Sequence, residues 1–168
     1  FMDNGRHRYL RSMRGAGVST TPNRLLRVSL HDAADHHAVE VSGLRGGSIT
    51  NPPLYDPGRR IVLAYDSANS FLKAWRVAPG SSALTPLWER PGFSCASHMI
   101  LFPESGAVLT NDFRREAEHA VFLDVETGEE RARVRAGWIH QGVVFPSVGW
   151  DRDVYLTTFS SLARVRLG

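Results

Sequence analysis

The stretch HMILFPESGAVLTND carries a histidine, His98, at its start and a carboxylate, Asp112, at its end. An imidazole beside a carboxylate is the equipment of a general base, because the acid fixes the ring tautomer and raises its basicity. Between the two lie an apolar run, a Pro-x-x-Gly turn and a second apolar run, the pattern of a β-hairpin whose ends meet. The same outline recurs in NPPLYDPGRRIVLAYD, from Asn51 to Asp66, and in QGVVFPSVGWDRDVYLTT, from Gln141 to Thr158. Set on Tyr55, Phe102 and Phe145, with Gly58, Gly106 and Gly149 in the turns, the copies bring Asn51, His98 and Gln141 to one position. Thr50, Ser97 and His140 stand just before it, and Asp3, Asp66 and Asp112 share the opposite strand end. Carboxylates facing Asn, Gln and His suit a polar ligand or a hard cation such as calcium. Aspartates at strand ends also accept hydrogen bonds from turn amides, which is a purely structural use.

A second candidate is the segment GRHRYLRSMRGAGVSTTPN, residues 5–23, long enough for a functional loop. Arg11 and Arg14, with Arg8, can grip an anionic group bidentately, and the loop is expected to project over the same mouth as the aspartates. The other histidines are weaker candidates. His31, His36 and His37 read as a solvated turn and edge strand, and His119 as the surface start of a strand. SGLRGGS, residues 42–48, is not a phosphate loop, since no helix follows it.

The elements that must position these residues repeat with a period of about 45 residues. After each hairpin comes a third strand (LLRVSL, FLKAWRV, AVFLDV, LARVRL), then a turn, then a fourth strand (HAVEV, LWER, RARVR). The fold class is therefore all-β, a β-propeller of four-stranded antiparallel blades, with units at about 1–45, 46–92, 93–137 and 138–168. A β-sandwich explains short strands equally well but gives no reason for a recurring unit. The first unit lacks its innermost strand and the last stops after its third. About three and a half blades cannot close a ring, so the chain is expected to belong to a longer propeller of about six to eight blades, or to be completed by a second copy.

FLDVETGEERARV, residues 122–134, resembles the third and fourth strands of quinoprotein-like and YVTN-type (WD40-like) propeller repeats, with an Asp and a Thr-Gly turn between them. The tryptophan that quinoprotein repeats carry after the Thr-Gly is absent here. The set Asp3, Asn51, Asp66 and Asp112 resembles the calcium-dependent lactonase propellers, which implies a hydrolase with bound calcium. HMILFPESG, with FMDNG and the arginine loop, resembles the bacterial arylsulfotransferase propellers. That likeness implies a channel histidine, His98, assisted by arginines.

Composition narrows the classes. At 168 residues with 42% hydrophobic and 22% charged residues, the chain is an ordinary globular domain. No apolar run approaches the roughly 18–20 residues of a membrane helix. The chain opens on Phe1 rather than an initiator Met, which leaves room for a leader or further N-terminal sequence. One cysteine, Cys95, excludes an internal disulfide and a cysteine metal cluster, and compartment stays open. The net charge of +3 comes from arginines that mostly alternate with apolar residues along strands, a solvated sheet face rather than a nucleic-acid footprint. The sequence thus points to a binding or scaffold module without resident cofactor, for a protein partner or a small polar or anionic ligand. The alternative is an enzyme working at the channel mouth through His98.

Overall fold

The computed structural model describes residues 2–3, 21–48, 52–95, 98–112, 119–136, 145–150, 153–157 and 162–166. These form four sheets and, among the described residues, no helix. The first sheet holds β1 (Met2–Asp3), β2 (Arg24–Val28) and β3 (His36–Glu40). The second holds β4 (Leu54–Asp56), β5 (Ile61–Asp66), β6 (Phe71–Val77) and β7 (Leu84–Pro91). The third holds β8 (Ile100–Phe102), β9 (Ala107–Asp112), β10 (His119–Asp124) and β11 (Glu130–Arg135). The fourth holds β12 (Phe145–Val148), β13 (Asp153–Thr157) and β14 (Leu162–Arg166). Every sheet is an antiparallel meander whose strands pair in chain order.

The sheets stack face to face in that same order, which explains why β5 and β9 are buried at every position. Side chains alternate between the two faces of a strand. Val62 and Ala64 pack with Trp75 against Leu25 and Val41 of the first sheet. Their neighbours Ile61, Leu63 and Tyr65 turn the other way, onto Val108, Val121, Leu123 and Val125 of the third. On the far face of the third sheet, Leu109, Ala120 and Phe122 meet Val154, Leu156 and Val165 of the fourth. Each of the Val, Leu, Ile and Phe side chains among them contributes about 1.5–3 kcal/mol when fully buried, so stacking rather than any one sheet holds the fold together. RARVR does not show the expected one-sided pattern. β11 is exposed at all six positions because it is the outer edge of its sheet, and its charges blunt that edge.

The register corrects the repeat alignment. In the second sheet the hairpin closes on Asp56 opposite Ile61, with Tyr55 opposite Val62. In the third it closes on Phe102 opposite Ala107. Phe102 therefore answers to Asp56 and not to Tyr55, and in the fourth sheet Phe145 opens β12 opposite Thr157. The turn sets the register: in the second and third sheets the residue before the returning strand takes a left-handed backbone. Arg60 does so at φ 55° and Gly106 at φ 62°, whereas Gly58 lies outside that region. The offset of 46 positions from Arg60 to Gly106 also separates Gly46 from Gly92, both left-handed, and Asp66 from Asp112.

Candidate functional site

Asp66 ends β5 on the face turned to the first sheet, and its carboxylate is buried. Oδ1 accepts from the backbone N–H of Ser48 at 2.9 Å and of Asn69 at 3.4 Å. Oδ2 accepts from the Ser42 hydroxyl at 2.6 Å and from Asn69 Nδ2 at 2.8 Å. Both oxygens are thus engaged by protein donors, two from the turn that follows β5 and two from the loop 42–48 that leaves the first sheet. That loop wraps an internal carboxylate. Gly47 lets the chain approach closely there, because a Cβ would come within 2.6 Å of Asp66 Oδ2 and closer still to Asn23 Nδ2, so one of these side chains would have to shift. Around this knot several buried atoms find no protein partner: Oδ1 and Nδ2 of Asn23 and the hydroxyls of Ser48 and Ser67. Asn23, Ser42, Ser48 and Asn69 were not singled out by the sequence, although Asp-x-x-Asn is a recognisable turn signal.

Asp112 ends β9 and is also buried. Its Oδ2 accepts from Arg133 Nη1 at 3.1 Å, and its partner across the ladder is His119. His98 stands just before β8, half-buried. Counted back along the β8–β9 ladder it falls opposite Asn111 rather than Asp112. The alternation agrees: Met99 and Leu101 pack toward the second sheet, while Ile100 and Phe102 pack toward the fourth. By that parity His98 belongs to the face opposite the one that carries Val108, Thr110 and Asp112. The register thus sets His98 one position away from Asp112 along the ladder, whereas the aromatic alignment sets the two opposite each other. Asn51, His140, Gln141, Arg11 and Arg14 lie outside the described residues, and of Asp3 only the strand position, opposite Arg24, is described. Among the described residues no group of three or more His, Cys, Asp or Glu is placed to hold a metal. Cys95 is buried with its Sγ 2.8 Å from Thr110 Oγ1.

The opposite rim is tied just as closely. Asp124 accepts from the N–H groups of Glu126 and Thr127, and Gly128 follows at φ 72°. Trp88 of the second sheet covers this turn and donates from Nε1 to the Val125 carbonyl at 2.9 Å, while Arg90 donates to Gly128 O. Burial raises the Asp124 pKa, but hydrogen bonds from Arg131 and the two turn amides outweigh it and hold the group below its usual range. For Glu130 the leading cause is the pair of hydrogen bonds from Arg133, which holds it below the usual carboxylate range and raises Arg133 in turn. A folded-state pKa below the unfolded value stabilises at pH above about 4 and is lost as pH falls through the lowered value. Denaturant melts between about pH 5 and pH 3 should therefore show falling stability. Glu130→Gln should make that fall shallower, and an unchanged slope would remove Glu130 from the account.

Architecture and site together define an all-β, propeller-like protein with a buried carboxylate, Asp66, tied across the seam between its first two sheets. Among solved structures the chain is similar to a luciferin-regenerating enzyme, at 13% identity over 92% of this chain and 55% of that one, with a TM-score of 0.56. It is similar also to a candidate 6-phosphogluconolactonase from Bacteroides fragilis, at 12% identity over 99% and 59% of the two chains, with a TM-score of 0.51. The chain thus spans under two thirds of the length of either structure. No protein-family model matches it, and no curated protein matches it.

Proposed function

We propose that the four sheets are successive blades of a β-propeller, and that the propeller is a binding or scaffold module. It takes a small polar or anionic ligand, or a protein partner, at the mouth formed by the ends of β5 and β9. The blades that close the ring come from further sequence or from a second copy. The observation that carries the binding function is the set of buried polar atoms around Asp66 without a protein partner, which suits a small polar guest. The turn at Asp124–Gly128 supports placing these blades with the quinoprotein-like and YVTN-type repeats, because the Asp accepts the turn amides and the Gly supplies the left-handed residue.

The enzyme alternatives need a carboxylate or imidazole available to substrate or calcium. Asp66 has both oxygens engaged by protein donors, and Asp112 is paired with Arg133, which favours the binding module. Calcium separates the two. Addition of calcium at about 5 mM should move the thermal midpoint by less than about 1 °C. Saturation at a hundredfold excess over Kd would instead stabilise by about 2.7 kcal/mol. A calcium-dependent rise that disappears in Asp66→Asn would sink the module reading and revive the lactonase-like one. His98→Gln serves the sulfotransferase-like alternative in the same way: if any activity is found and this variant retains all of it with unchanged pH dependence, His98 has no catalytic part.

A further inference from the structure

A cavity of about 370 Å³ opens between the first and second sheets, within the size range of small-molecule sites. Its walls include Leu25 and Val28 of β2 and Val62, Val77 and Leu84 of the second sheet, so they are mainly apolar. Tyr55, 48% exposed, stands at its rim. One charged residue lines it. Arg27 lies on the same face of β2 as Leu25, and its Nη1 is buried without an acceptor. None of the described lining residues is acidic. A buried cationic N–H with no acceptor is costly, and an anion placed before this half-buried guanidinium would supply the acceptor.

We infer that this cleft binds a small amphipathic anion, a carboxylate on a compact hydrophobic body, with the carboxylate on Arg27 and the body between Leu25, Val62 and Leu84. The planar guanidinium fork matches a carboxylate bidentately, while the apolar walls exclude the water that would otherwise compete for it. The site is distinct from the Asp66 knot, since it uses the face of β2 and the start of β5 rather than the end of β5. It depends on neither ring closure nor the mouth ligand.

The test uses 2-naphthoate and its uncharged counterpart 2-naphthol as probes, titrated calorimetrically against the purified chain and against Arg27→Met. The expected result is one saturable site for naphthoate, with naphthol on the order of tenfold weaker or worse, and no difference between the two probes in Arg27→Met. Without ligand, Arg27→Met should melt at the same temperature as the parent or higher, because it removes a half-buried guanidinium whose buried Nη1 has no partner. Three results would overturn the inference: no saturable naphthoate binding up to about 5 mM, a weak limit of specific affinity; equal binding of acid and alcohol to the parent; or a variant that melts lower. The last would mean that Arg27 serves packing or an internal contact instead.

Discussion

Asp66→Ala should cost about 3–5 kcal/mol, the range for removing one member of a buried charged network, and lower the thermal midpoint by about 10 °C. The carboxylate is buried, and the substitution leaves four donors, from Ser42, Ser48 and Asn69, without their acceptor. Two of these belong to the loop that joins the first sheet to the second, so that seam should open before the rest of the core. Amide hydrogen exchange should show Ser48 and Ser67, whose N–H donates to the Ser48 carbonyl at 2.8 Å, losing protection while β9 and β10 keep theirs. Asp66→Asn should be milder, at about 2–3 kcal/mol, since the isostere fits but turns an amide NH₂ toward donors. A loss below about 1 kcal/mol for Asp66→Ala would show that the carboxylate does not hold the two sheets together.

The second large effect is at the other rim. Gly128→Ala should destabilise by about 2–4 kcal/mol, combining a left-handed backbone penalty of about 1–2 kcal/mol with overlap on Trp88. A Cβ there would lie 2.6 Å from the indole, against a residue that is itself fixed by its hydrogen bond to Val125. The two causes separate in a double-mutant cycle. In a Trp88→Ala background the overlap is gone and only the backbone cost remains, so Gly128→Ala should cost about 1–2 kcal/mol less than in the parent. Additive losses would show that Trp88 does not press on this turn. Trp88→Phe keeps most of the packing and should lose about 1 kcal/mol, the net value of one half-buried hydrogen bond.

These sites mark how far the sequence reached. Asp124 and Gly128 were readable in DVETG, because a turn-capping acid and a left-handed glycine are local requirements met within a few residues. The same is true of the strands themselves, whose alternation and bounding Gly, Pro and Asn residues depend on neighbours in the chain. Composition and repeat were enough for an all-β chain of antiparallel meanders. They were not enough for the register, because Tyr55 and Phe102 look alike in sequence while the turn geometry at Arg60 and Gly106 decides which residue faces which sheet. That single step moves His98 from a position opposite Asp112 to one opposite Asn111 in the ladder. Whether a buried aspartate is a ligand or a structural tie was likewise undecidable from its position alone. Two of the four donors to Asp66 come from the loop that leaves a different sheet, and the unpartnered Nη1 of Arg27 becomes visible only once two sheets close over it. Local backbone preference is written residue by residue along the chain, whereas the partner of a buried polar group is chosen by packing between segments that the chain brings together only in the folded state.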